Sequence, residues 1–247
     1  MAKHAGKTAL ITGAASGIGL ATAQLLAAQG ILQLVLVDRD AEALERVTLR
    51  ARVTRIVGDV ADPALWAAAD IGQLDFAVLS AGVAAAAPID ALDFAEWRRV
   101  MAINLDGMFL SLQAAMRAMA ETGAIVAVAS AAGVKAEPGI AAYATSKAGV
   151  IQLAKVAAKE GASRGIRVNA IAPAGVETPI WDAVPMFAER AAEIGRDAAF
   201  AEMARAATPL GRFAKPEEIA AQIDFLLSEE AAFITGATLL SDGGYTL

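Results

Sequence analysis

Tyr143 and Lys147 stand four residues apart at the start of a predicted helix. That spacing sets both side chains on one helix face. An ammonium group beside a phenol favours the phenolate and draws its pKa down from about 10 toward working pH. Such a tyrosine can take a proton from an alcohol or return one to a ketone oxygen. Ser130 ends the strand predicted before this helix, so its hydroxyl can reach the same oxygen and orient it. A structural tyrosine with a solvated lysine would give the same spacing. Three polar groups at successive element ends are harder to explain that way.

Other chemistries are scarce. The chain has no cysteine, and its single histidine, His4, lies in a terminus expected to fray. Thiol nucleophiles, disulfides and thiolate metal sites are excluded, and a Ser-His-Asp triad or histidine-rich zinc site nearly so. No metal site is expected. A formal net charge of −6 without a basic run makes nucleic acid and anionic membrane poor partners. Although 57% of the residues are hydrophobic, no apolar run approaches the ~20 residues that span a bilayer. Met1–Lys7 leads into an apolar strand without a signal-peptide core, so a cytoplasmic protein is expected.

The elements that must position these groups alternate. Apolar runs at Thr8–Thr12, Gln33–Val37, Arg55–Val57, Asp75–Ser80, Ala124–Ser130, Arg167–Ala172 and Thr238–Ser241 read as strands. Between them Ile18–Gln29, Ala41–Ala51, Pro63–Ala69, Phe94–Glu121, Ala142–Arg164 and Pro216–Ser228 carry apolar residues at helical spacing. Strands apolar on both faces and separated by helices imply an α/β fold with a parallel sheet covered on both sides. One doubly wound domain over residues 1–247 is expected, with seven strands. Residues 179–210 have helical bias and no strand; such an excursion after a strand's carboxyl end suits a lid over a substrate pocket.

A glycine turn joins the first strand to the first helix. In Thr12-Gly13-Ala14-Ala15-Ser16-Gly17-Ile18-Gly19, Gly13 suits the tight turn, Gly17 the approach of a pyrophosphate, and Gly19 close helix–strand packing. The helix N-terminus adds free N–H donors and a positive dipole end. The spacing is GxxxGxG rather than GxGxxG, so a purely structural turn would also fit. Asp38 closes the second strand nineteen residues past Gly19, where a carboxylate accepts hydrogen bonds from an adenosine ribose. The same charge repels a 2′-phosphate, so NAD is expected over NADP; Arg39 is adjacent.

Together these residues resemble the short-chain dehydrogenases/reductases over essentially the whole chain. The family's glycine motif runs Thr12 to Gly19, and its active-site set stands as Asn104, Ser130, Tyr143 and Lys147. Gly58-Asp59-Val60, Arg167 through Pro173, Thr178-Pro179 and the ending Ile234-Thr235-Gly236 through Ser241-Asp242-Gly243-Gly244 match as well. The resemblance implies a Rossmann fold, hydride transfer without a metal between NAD(H) and a secondary alcohol or ketone, and a homotetramer paired through the long helices. It implies that Tyr143 is general acid/base, that Lys147 tunes it and binds the nicotinamide ribose, that Ser130 steadies the substrate oxygen, and that Asn104 helps hold a relay water. Cofactor contacts are expected from Gly13, Ser16, Gly17, Ile18, Gly19, Asp38, Asp59, Val60, Ala81 and Gly82, with Tyr143, Lys147, Pro173, Val176 and Thr178.

Two departures stand out. The family's Asn-Asn-Ala-Gly is here Leu79-Ser80-Ala81-Gly82, and its Pro-Gly pair is Pro173-Ala174-Gly175. Ser80 is expected to replace part of the missing backbone bonding, and Ala174 to alter the nicotinamide pocket slightly. Around the reacting oxygen Ala131, Ala132, Glu137, Ile140, Ala174, Trp181, Pro185, Met186 and Phe187 are expected. That set suits a substrate with at least one apolar substituent, with Glu137 free to engage a hydroxyl or amine. Rival readings are an NADPH-dependent 3-oxoacyl-[acyl-carrier-protein] reductase and a non-catalytic NAD-sensing regulator.

Overall fold

Leu10 and Ile11, Val35 and Leu36, and Ala77 and Val78 are adjacent pairs, and every one of these residues is fully buried. Neighbouring side chains on a strand point to opposite faces. Leu10, Val35 and Ala77 join one core cluster, and Ile11, Leu36 and Val78 join another. The computed structural model describes residues 3–247. Its sheet comprises β1 (Thr8–Thr12), β2 (Gln33–Asp38), β3 (Arg52–Val57), β4 (Leu74–Leu79), β5 (Met119–Val128), β6 (Ile166–Pro173) and β7 (Thr238–Ser241). All neighbours are parallel, in the order β3-β2-β1-β4-β5-β6-β7. The expected seven-stranded, doubly wound sheet is what forms.

The helices are α1 (Gly17–Ala28), α2 (Ala41–Arg46), α3 (Pro63–Ala68), α4 (Phe94–Met101), α5 (Gly107–Ala118), α6 (Ala141–Gly161), α7 (Pro185–Ile194), α8 (Arg196–Ala207) and α9 (Pro216–Leu227). Met108 and Leu112 of α5 and Val150 and Ala154 of α6 fill one layer. Leu26 of α1, Leu44 of α2 and Ile223 of α9 fill the other. Between β1 and β4 the strand order reverses, which opens a crevice at the strands' carboxyl ends.

Three sequence expectations are corrected. The helix expected over Phe94–Glu121 is interrupted by a π turn, Ala102–Asp106, and yields to β5 at Met119. Met119, Ala120 and Glu121 favour helix intrinsically, and pairing with β4 overrides that preference. The β4–β5 register slips between Leu74 and Phe76 to accommodate the added length. The second helix stops at Arg46 instead of Ala51, since the β-branched Val47 and Thr48 resist helix, and β3 begins at Arg52.

His4 is the third. It is buried, packs edge-on against Phe76 at 5.2 Å between ring centroids, and sets Nε2 2.6 Å from Asp224 Oδ1. A carboxylate only accepts, so that nitrogen carries the proton. Lys3 Nζ and Gln29 Nε2 donate to Asp224 Oδ2 at 2.6 and 3.1 Å. Burial opposes the Asp224 charge, but the His4, Lys3 and Gln29 donors together hold its carboxyl below the ordinary aspartate value. A depressed folded-state pKa stabilises above the unfolded value and loses that contribution as pH falls through the folded one. Asp224→Asn is expected to cost about 2 kcal/mol at neutral pH. Its melting-temperature deficit should shrink below about pH 4 as wild-type Asp224 protonates. A deficit that stayed constant down to pH 3 would remove Asp224 from the acid response.

Candidate active site

The crevice between β1 and β4 opens into a cavity of about 1220 Å³ that runs from Asp38 to α7 and α8. At one end is the turn from β1 into α1. Gly13 and Gly17 have φ of 66° and 53°, a left-handed conformation that favours glycine. A Cβ at Gly19 would press on the Gly13 carbonyl oxygen and lie 2.7 Å from Ser80 Oγ. Ser16 precedes α1 without capping it through its side chain. The result is a backbone cradle at a helix N-terminus, suited to a pyrophosphate.

Ser80 does what its position required. Its amide donates to Thr12 Oγ1 at 3.1 Å and its hydroxyl to the Thr12 carbonyl at 2.5 Å, while the Ala81 amide also reaches Thr12 Oγ1. The ends of β1 and β4 are thus tied without the family's asparagines. Ala174 needs no glycine: among the described residues no non-glycine has positive φ, and its amide donates to the Ser241 carbonyl. The expected change in the nicotinamide pocket therefore has no backbone origin at Ala174.

Asp38 is aimed by two amides, Ala15 to Oδ2 at 2.9 Å and Asp40 to Oδ1 at 3.1 Å. Asp59 Oδ1 is fixed by the Ala61 amide. Both border the cavity, as does every other residue expected to touch cofactor: Gly13, Ser16, Gly17, Ile18, Gly19, Val60, Ala81, Gly82, Tyr143, Lys147, Pro173, Val176 and Thr178.

Tyr143 and Lys147 occupy the first turns of α6, beneath the carboxyl end of β5. Lys147 Nζ donates to the Val128 carbonyl at 3.0 Å and sits 5.7 Å from the Tyr143 ring centroid. Ser130, just past β5, accepts from the Ala132 amide at 3.2 Å and lies 3.3 Å from the Pro173 carbonyl, and its hydroxyl faces that of Tyr143. Burial pushes the Tyr143 phenol up, partly offset by Ser130, and pulls Lys147 down to about 8. The lowering expected from Lys147 does not outweigh this burial. In the protein by itself desolvation prevails, because it penalises each group's charged form.

Asn104 sits in the π turn, fully buried, a setting in which such turns often serve function. Its Oδ1 accepts from the Val83 amide at 2.8 Å, and its Nδ2 donates to the Val83 carbonyl at 2.9 Å and to Ser146 Oγ at 3.1 Å. The side chain thus clamps the turn after β4 against α6.

Of the expected substrate residues, Ala132, Glu137, Ile140, Ala174, Trp181, Pro185 and Met186 border the cavity. Phe187 does not: it is fully buried, its ring 4.5 Å from Phe200 and 5.7 Å from Trp181. It joins a small buried cluster with Phe200 of α8 and Phe213 instead. Ala131 is also fully buried, beneath the wall. The sequence reading missed Arg99, Lys135, Thr208 and Tyr245, all on the cavity wall. Arg99 is held by Glu96 in a bidentate pair. Tyr245 follows the Gly243-Gly244 ending, which was the one signal for it.

Comparison with known proteins agrees with this geometry. A family model described as enoyl-(acyl carrier protein) reductase matches residues 13–246. A cis-4-hydroxycyclohexanecarboxylate dehydrogenase of Sinomonas cyclohexanicum is 41% identical, covering 97% of this chain and 96% of the relative. A D-threitol dehydrogenase of Mycolicibacterium smegmatis is 42% identical over 98% and 94%. The crystal structure of levodione reductase superposes with a TM-score of 0.88 at 34% identity, covering 98% of both chains. The chain is a short-chain dehydrogenase/reductase. As such it is an oxidoreductase of the kind that uses a nicotinamide cofactor and acts on CH–OH groups. The cradle, Asp38 and Asp59, and the Ser130–Tyr143–Lys147 group all border the cavity of this short-chain dehydrogenase/reductase described above. Their residue types fit such a cofactor at each end.

Proposed function

We propose that the protein interconverts a small secondary alcohol and its ketone with NAD(H) as cofactor. What carries this reading is one continuous cavity with Asp38 at one end and the Tyr143 hydroxyl at the other. When bound, the cofactor takes up or gives back hydride at its nicotinamide carbon. Ser130 donates to the substrate oxygen and fixes its direction toward Tyr143. Tyr143 accepts the alcohol proton during oxidation and returns it during reduction. Lys147 keeps one donor on the Val128 carbonyl; its remaining donors would hold a ribose hydroxyl of the cofactor, and its charge would stabilise the phenolate. Asn104 holds the Gly82–Val83 turn so that Lys147 keeps this line of approach. Relatives named for a hydroxycyclohexanecarboxylate and for threitol support a small hydroxylated substrate.

Asp38 supports NAD over NADP. A 2′-phosphate would bring like charge against a carboxylate already fixed by two amides. Repulsion of this kind is worth a few kcal/mol at close range near a surface, on the order of 10²–10³ in kcat/KM. NADH absorbance with each cofactor over a panel of secondary alcohols measures it, and Asp38→Ser should erase most of the difference. Preference for NADP in the wild type would sink this reading in favour of a 3-oxoacyl reductase. Tight NAD binding with no turnover on any alcohol would favour a sensor.

A cytoplasmic location is part of the proposal; among the described residues no helix is long and apolar enough to cross a membrane. Exposed Phe109 on α5 and Val156 on α6 support a homotetramer paired through those helices, which sedimentation equilibrium would report.

A further inference from the structure

At the substrate end, where alanines, Ile140 and Met186 make an apolar wall, one cluster is polar. Lys135 and Glu137 lie on the turn after Ser130 and meet Tyr245 of the C-terminal tail, and all three border the cavity. Lys135 Nζ donates to the Tyr245 carbonyl at 2.8 Å, stands 4.3 Å from its ring centroid, and lies 3.5 Å from Glu137 Oε1. Burial and the facing Glu137 carboxylate push the Tyr245 phenol up to about 12, so it remains a neutral donor. The tail itself is fixed. Asp242 accepts from the Gly244 and Thr246 amides, each at 2.9 Å, and from Thr246 Oγ1 at 2.6 Å. The Gly243 carbonyl takes the Leu210 amide. Thr208 borders the cavity next to this tail, and its buried hydroxyl has no partner among the described residues.

We infer that the Lys135–Glu137–Tyr245 cluster binds a second hydroxyl of the substrate, making diols or polyols the preferred class over mono-alcohols and hydroxy acids. This rests on the alcohol dehydrogenase reading above. Lys135 and Glu137 cancel in charge, so the cluster offers a carboxylate no net attraction and sets Glu137 against it. An ammonium has three donors and a carboxylate about four acceptor sites, and the contacts above leave both with capacity. A hydroxyl donates to one and accepts from the other. A bare methylene would leave their remaining hydrogen-bonding capacity unmet and shielded from water, and a site built around a substrate hydroxyl rejects the analogue that lacks it.

The test compares cyclohexanol, the cis and trans cyclohexane-1,2-, 1,3- and 1,4-diols, and 4-hydroxycyclohexanecarboxylate, each with NAD. At least one diol should exceed cyclohexanol in kcat/KM by about tenfold or more. In Glu137→Ala that ratio should fall to about two, the statistical factor for two equivalent hydroxyls, with partial recovery in the more conservative Glu137→Gln. Cyclohexanol matching every diol in the wild type, a ratio untouched by either variant, or a preference for the hydroxy acid would each overturn the inference while leaving the alcohol dehydrogenase reading intact. Silence on cyclohexanol and all the diols alike would instead strike the parent reading, and this one with it.

Discussion

Tyr143→Phe should lower kcat by on the order of 10³-fold while the melting temperature moves by no more than a few degrees. Tyr143 is only half-buried, and its hydroxyl faces Ser130 and the cavity rather than the core. Deleting one oxygen therefore removes the proposed proton donor and acceptor without opening a void. The pH dependence carries a second check. Burial raises the phenol, so in the wild type alcohol oxidation should accelerate with rising pH as the phenolate gains population. Lys147 opposes this at higher pH, since its ammonium, pulled down to about 8 by burial, is lost as pH rises through that value. The variant should show neither limb. NADH formation followed from pH 6 to 10 in both proteins decides it, and a variant retaining a tenth of the wild-type rate would exclude Tyr143 as the acid/base.

Gly19→Ala is expected to be nearly as damaging by another route. The new methyl group would meet the Gly13 carbonyl oxygen and Ser80 Oγ. The first belongs to the cradle's own backbone, and the second is pinned by its bond to the Thr12 carbonyl. Neither is the loose end of a flexible side chain. Overpacking of this kind costs about 1–3 kcal/mol, which for a chain of this size lowers the melting temperature by roughly 3–10 °C. Because the displaced atoms form the pyrophosphate cradle, NADH affinity should drop by more than tenfold as well. Fluorescence titration with NADH, run below the variant's melting range, separates the two effects. Wild-type affinity in the variant would mean that the turn does not hold the dinucleotide.

The parts of this protein that repeat a period or sit at an element's end could be read from the chain. Strand runs such as Leu34–Val37 have apolar residues on both faces, and Asp38, Ser130 and the Tyr143–Lys147 pair each mark an end. What escaped depends on contacts between distant segments. Nothing near His4 announces Asp224, which lies on α9 some two hundred residues away. Phe187 has the composition of a pocket residue, and only the approach of Phe200 and Phe213 turns it inward. Met119 begins a strand because β4 offers it a partner, against its own helical preference. Lys135 and Tyr245 are ordinary polar residues until the tail folds back across the turn after Ser130.

The two ends of the cavity are built differently. The dinucleotide end is made of strand termini and a helix start that are also part of the core, so a change there disturbs the fold. The opposite wall comes from the turn holding Lys135 and Glu137, the helical segment from Pro179 to Ala207, and the residues beyond β7. None of these contributes a strand to the sheet. Laboratory evolution toward a new alcohol can therefore concentrate its mutations on positions 135, 137, 186 and 245 and leave the stability of the scaffold largely untouched.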